Sequence, residues 1–413
     1  YNCSTDNLSV VIKVNGAGSA STTCTSSSGT YSASTTLNAA GDVVTVFLDN
    51  ETPDAATVTR AAGSATNISG LNLYQNRVIV RHEDSGPITN TNLDNYDNGN
   101  DADIPFTVTS GALTVSASTK LLVLSGETFA PGGNVTTPGV EVAGTYTASS
   151  YTLTLNGAGT SSTCTAAAGT MMPFCRTGTF TTSTDTVAYT GSGSITISTT
   201  TFYNFQTNGS GTYTLGGTTV VANNLTVSAG TLSVTSALTV NGDIAANGGT
   251  LSGTSNVTVN GGAITGNGTI SLTNGTTTLS GAGNFGGTGN YAFYNLTFSG
   301  SSQTTTSTGS GTSTITNVLT ISSGHTLYGS STPWRLNSSS SAPFVISGTF
   351  AAVSSTVWFD GSTSTIPSAT YWNLGIGTTA DAAGSTYTLG GNTTVQGVLT
   401  LGNSASSKTD ILS

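Results

Sequence analysis

Four aspartates within one short stretch, Asp94, Asp97, Asp101 and Asp103, give this chain its densest supply of ligand oxygens. Hard cations such as Ca²⁺ take several oxygens from one flexible loop, and the intervening asparagines and main-chain carbonyls add to the set. The spacing is not that of an EF-hand: with Gly99 at the sixth position, Tyr96 falls at the third and Pro105 at the twelfth. The competing reading is a solvated acidic loop with no ion. A second ionisable cluster, Arg81-His82-Glu83-Asp84, follows the apolar run at residues 78–80 and reads as a salt-bridged turn.

Four cysteines offer redox chemistry. Cys24 and Cys164 sit in matching text, Asn15-Gly-Ala-Gly18 before Thr-Cys24-Thr and Asn156-Gly-Ala-Gly159 before Thr-Cys164-Thr. Each has one other cysteine within local reach, so the expected pairs are Cys3–Cys24 and Cys164–Cys175. A Cys₄ zinc site would want a Cys-X₂-Cys pair, which is absent. An even cysteine count with very little lysine suits an oxidising, extracellular setting.

Catalysis has few candidates. Polysaccharide-cleaving chemistry needs two or three carboxylates, or a carboxylate with a base, converging on one groove. After residue 150 the acids are Asp185, Asp243, Asp360, Asp381 and Asp410. Asp185 lies nearest Arg176, Asp360 has no close basic neighbour in sequence, and His325 stands among Ser and Gly. The expectation is a non-enzyme with no organic cofactor. No helix pattern follows any Gly run, which removes phosphate-loop readings. A net charge of −10 with no basic patch argues against nucleic acid as a partner.

The elements that must hold these residues are strands. Charged residues are 6% of the chain, against about 25% in an ordinary domain, and Gly supplies 53 of 413 residues. Low charge with 35% hydrophobic residues is unlike disorder. The apolar residues alternate, as in Thr-Leu-Thr-Leu at 152–155 and Val-Thr-Val at 257–259, which is the period of a half-buried strand. No stretch approaches the roughly 18 apolar residues of a membrane helix. The chain begins at Tyr1 without a leader pattern, the expectation being a mature form or a fragment.

Charge divides the chain into parts. Thirteen of its 18 acids fall within residues 1–150. Residues 1–62, with strands expected at Leu8–Val14, Ser32–Leu37 and Val43–Leu48, read as a small immunoglobulin-like β-sandwich. Residues 63–150 are transitional strands around the acidic loop, and residues 151–413 are repeats. Gly178-Thr-Phe180, Phe202-Tyr203-Asn204-Phe205 and Thr212-Tyr-Thr-Leu-Gly-Gly217 return in order as Gly348-Thr-Phe350, Tyr371-Trp372-Asn373-Leu374 and Thr386-Tyr-Thr-Leu-Gly-Gly391. A partial copy, Phe293-Tyr294-Asn295-Leu296, lies between them. Strand repeats without helices point to an all-β fold, a parallel β-helix (β-solenoid) with the aromatic-aromatic-Asn motif at its corners.

This text resembles the large secreted β-strand-repeat proteins of environmental bacteria, in the style of filamentous-haemagglutinin and autotransporter adhesins. The resemblance rests on the repeats just quoted, on Gly41-Asp-Val-Val-Thr-Val-Phe-Leu-Asp49, on Asn76-Arg-Val-Ile-Val-Arg-His82 and on Phe129-Ala-Pro-Gly-Gly-Asn-Val-Thr-Thr137. It implies a secreted or cell-surface fibrous role and carries over no catalytic residue. The expected function is a structural fibre subunit whose partners are its own copies. Its last strands, with Leu399, Leu401 and Ile411, would add to the first strand of the next copy, through Leu8, Val10, Ile12 and Val14. The alternative is an adhesin that grips surface glycans with Trp334, Trp358 and Trp372.

Overall fold

The computed structural model of the chain describes residues 7–25, 28–94, 101–377, 385–402 and 411–412, with side chains for all of these except 18, 19, 411 and 412. Cys3, Asp97, Asp381 and Asp410 lie outside the described residues, as does the side chain of Ile411. The chain divides into two units, residues 1–198 and 199–413. Both are β-solenoids. The described helix is one short turn, Asn90–Asp94. No helix among the described residues is long and apolar enough to cross a membrane.

The first unit opens with antiparallel strands. Asn15 and Gly16 take φ of 51° and 70°, the left-handed pair that a two-residue hairpin turn requires, and fold Ser9–Val14 back on Ala17–Thr23. Ser9–Val14 also pairs with Val43–Leu48, and that strand with Ala55–Arg60. The chain then changes habit. Ala55–Arg60 pairs in parallel with Arg77–Val80, followed by Lys120–Val123, Val140–Val142 and Phe174–Arg176. The early strands therefore belong to one eight-stranded sheet shared with the coils.

The sandwich expected for residues 1–62 is not confirmed: its described strands belong to the one sheet shared with the coils. Ser32–Leu37, expected as a strand, has no ladder partner. Its neighbourhood instead lays Tyr31, Ala33 and Leu37 over the apolar face made by Leu8, Val10, Ile12, Val14, Val44 and Val46. A loop can do the covering because the sheet needs apolar atoms on that face, not further hydrogen bonds. Two more parallel sheets complete this unit's coils. Ala112–Val115, Val135–Thr137, Thr152–Leu155 and Thr186–Tyr189 form one. Thr128–Phe129, Thr145–Thr147 and Thr179–Thr181 form the other.

The second unit is a three-faced coil. Thr212–Leu215, Thr231–Val234 and Thr250–Gly253 begin the first face, Thr219–Val221, Leu238–Val240 and Val257–Val259 the second, and Asn204–Thr207, Leu225–Val227 and Ile244–Ala246 the third. Equivalent residues stack from rung to rung. Tyr213, Leu232, Leu251 and Ile270 form one buried column, while Thr212, Thr231, Thr250 and Thr269 line the outside. Each fully buried Leu or Ile contributes roughly 1.5–3 kcal/mol, and outward Thr keeps the branched shape that suits a pleat without offering apolar surface.

The rung is the true period. Side chains bridging adjacent rungs join residues 19 or 20 apart at Asn224 and Asp243, but 23 to 25 apart at Ser307, Asp360 and Asn373. The long sequence repeat is not in phase with it. Asn204 opens a third-face strand, Asn295 sits where Tyr291–Phe298 passes from the first face to the second, and Asn373 opens a first-face strand. All three mark corners, as expected, but three different ones.

Candidate functional site

The acidic cluster forms in the first unit from residues that sequence distance keeps apart. Asp49 follows the buried strand Val43–Leu48, while Asp101 and Asp103 lie just before Phe106–Thr109. Their carboxylates converge within 4.8 Å of one another, each half-buried. Of the four aspartates expected to act together, Asp101 and Asp103 do so. Asp94 ends the short helix as an exposed side chain outside the cluster, and Asp97 lies outside the described residues. Asp49 supplies the third carboxylate; the acid-rich stretch gave no sign of it, because the fold, not sequence spacing, brings it close.

Lys13 is the cluster's own counter-ion. Its Nζ is 2.8 Å from Asp101 Oδ2 and 5.3 Å from the centre of the Phe47 ring. Burial pushes the Asp101 carboxyl up, but the Lys13 hydrogen bond and the Asp103 N–H outweigh it and hold it below the usual range. Neighbouring Asp54 is pushed the other way, by burial first and then by the charge of Asp103. An all-oxygen donor set of this kind fits a hard cation, which would compete with Lys13 for Asp101.

Several other ionisable residues have structural partners. Arg81 pairs with Glu83 at 2.7 Å and Arg60 with Asp84 at 2.7 Å, as a salt-bridged turn should. His82 joins them through Nδ1 to the Asp84 carbonyl, while its Nε2 accepts the Thr128 N–H. Asp360 gains a partner that sequence proximity did not offer: Arg335, one rung back, donates from Nε at 2.6 Å to a carboxylate that is fully buried. Asp185, also buried, accepts the Ser183 N–H, and burial raises its carboxyl above the usual range. Asp243 caps a ladder: the Asn224 amide oxygen takes the Asp243 N–H, and Asp243 takes that of Ala263.

The cysteines follow the local pairing where they are described. Cys164 and Cys175 form a disulfide across 11 residues. Cys24 is disulfide-bonded as well, and its expected partner Cys3 lies outside the described residues.

The tryptophans do not share a face. Trp334 is 1% exposed and stacks on Phe285 at 5.2 Å. Trp358 lies half-buried over Gly375, and Trp372 is 40% exposed. A cavity of about 740 Å³ lies between the apolar face of the first sheet and the loops that cover it, with Ile12, Tyr31, Leu37, Val44 and Leu71 in its walls. No carboxylate, imidazole or amine lines it.

The assembly residues also differ from expectation. Leu8, Val10, Ile12 and Val14 are buried core, and Ser9–Val14 is paired on both edges within its own chain. It cannot serve as a donor strand while both its hydrogen-bonding edges are filled. The outer strand of that sheet is Ala17–Thr23. In the second unit Leu374 and Ile376 are each 2% exposed, but the next residues in their columns, Leu399 and Leu401, are 46% and 56% exposed. Ile411 pairs through its backbone with Thr386. Comparison of the chain with protein-family models, with curated proteins and with solved structures finds no match.

Proposed function

We propose that this chain is a structural subunit of an extracellular or cell-surface fibre, built by adding one solenoid rung to another across copies. The observation that supports this reading is the exposed pair of columns at Leu399 and Leu401, which no further strand covers among the described residues. Apolar side chains that earlier rungs bury almost completely stand about half-exposed there, beside a strand edge with no partner among the described residues. Such an edge is a template for strand addition. Ala17–Thr23 of the next copy, whose outer edge has no partner among the described residues, replaces Leu8–Val14 as the donor strand. A head-to-tail contact of this kind propagates into a filament unless its rotation closes a ring.

The interior supports a structural role over a catalytic one. Asp360, Asp185 and His325 are buried in hydrogen bonds rather than gathered on a groove. The Cys164–Cys175 disulfide suits an oxidising compartment. A glycan-gripping fibre would want a row of exposed indoles, and only Trp372 of the three is exposed. The cation that the Asp49, Asp101 and Asp103 cluster would take is Ca²⁺, as a clamp on the antiparallel strands. Val398→Lys with Leu401→Lys should abolish assembly while leaving the coils folded. Equal assembly of this variant and the parent chain would refute strand addition at this edge.

A further inference from the structure

Lys120 is the most deeply buried cation described in the first unit, its side chain 1% exposed, and its surroundings are unusual. The ammonium forms an ion pair with Glu141 at 2.7 Å, donates to the Ala166 carbonyl at 2.7 Å, and donates to the carbonyl of Cys164. Arg77 donates from Nη2 to the carbonyl between those two, that of Thr165, at 2.7 Å, and its Nε lies 3.7 Å from the same Glu141 carboxylate. Three consecutive carbonyls are thus held by two cations that share one carboxylate. The segment bearing them begins at one half of the Cys164–Cys175 disulfide.

We propose that residues 161–172 form a redox-released strap over Lys120: the Cys164–Cys175 disulfide keeps the strap's carbonyls on the ammonium, and reduction by a thiol uncovers Lys120 as an accessible primary amine. In the reduction the S–S bond accepts two electrons and two protons to give two thiols, and the reductant's own thiols become a disulfide. The strap's two ends are joined by the Ser161–Met171 bridge and by the Thr160 and Ser161 N–H groups on the Thr170 carbonyl, but the stretch between them packs little against the coils. Thr163, Thr165, Ala167, Gly169 and Thr170 are exposed, and Met171 is its one fully buried apolar side chain. Cutting the cross-link, whose cysteines are 11 residues apart, removes the constraint on this loop. Without the Cys164 and Ala166 carbonyls, a buried ammonium with only Glu141 is costly, so water takes their place. Cys175 is buried but Cys164 is half-exposed, so a reductant attacks from the Cys164 side. Burial holds the covered Lys120 amine below the ordinary lysine range, with Glu141 opposing; the uncovered amine reacts as a solvent-accessible lysine.

The test is acylation of the full chain by an N-hydroxysuccinimide ester, with peptide mapping at Lys120 and with Lys13 as the reference site. The parent chain is compared with Cys164→Ser/Cys175→Ser, which opens this disulfide and leaves Cys24's intact. The proposal expects labelling of Lys120 to rise by about tenfold or more, as local opening allows, while amide exchange in Lys120–Val123 and Val140–Val142 stays protected. Equal labelling of Lys120 in the two proteins, absent labelling in both, or a rise that comes only with loss of protection in those strands overturns it.

Discussion

Burial acts on Asp185 and His325 with opposite signs, and the two should give the units opposite responses to pH. Asp185 is held above the ordinary carboxyl value of 3.8, chiefly by burial, so the folded state binds its proton more tightly than the unfolded chain does. Its stability contribution is complete below that value and is lost as pH rises through the raised folded value. Asp185→Asn should therefore stabilise the first unit at pH 7 and change little at pH 3, read by thermal melts at both. His325 donates from Nδ1 to the Ser299 carbonyl at 2.6 Å, its Nε2 shares a hydrogen bond with the Thr305 hydroxyl at 3.1 Å, and burial lowers it from 6.5. Its contribution is complete above 6.5 and is lost as pH falls through the lowered value, so the second unit should weaken in mild acid; a His325→Gln variant whose melting lost no such dependence would contradict this. Gly375 is a steric test of the rung stack. A Cβ there would lie 1.7 Å from the Trp358 ring, so Gly375→Ala should cost about 1–3 kcal/mol. Trp358→Ala in the same chain should recover most of that loss.

At the scale of elements, alternation of apolar residues reveals strands, but not which strands are neighbours. Thr152–Leu155 and Val257–Val259 are half-buried strands with the alternation their sequences carry. The rung length is hidden because turns between faces vary, so the visible repeat drifts around the three corners instead of marking one. The partners of Asp101, Asp360 and Lys120 share that difficulty. Asp49, Arg335 and the Ala166 carbonyl reach them through stacking across dozens of residues, and no local spacing encodes it. The Asp49, Asp101 and Asp103 cluster supports a prediction at this scale. Millimolar Ca²⁺ should raise the melting midpoint of the first unit and spare the second, since a ligand stabilises only what it binds. Asp101→Asn should remove the effect, and Lys13→Met should enlarge it by freeing the carboxylate. Identical melts in EDTA and in Ca²⁺ would leave Lys13 as the cluster's sole counter-ion.

At the scale of the whole molecule, the solenoid class was legible because low charge, alternation and Gly-rich turns all favour the same stacked strands. The antiparallel opening was not. Ser9–Val14 alternates as the coil strands do, and only the pairing directions show it enclosed between Ala17–Thr23 and Val43–Leu48. That enclosure puts the expected donor strand in the core, and Val398, Leu399 and Leu401 are among the exposed large apolar residues. The most direct test of assembly through this rung is electron microscopy of the purified chain over a concentration series, beside Val398→Lys/Leu401→Lys. Linear filaments of the parent chain, with a subunit contact at residues 398–401 and isolated particles of the variant, are the predicted result. A parent chain that stays a single particle at every concentration would contradict it.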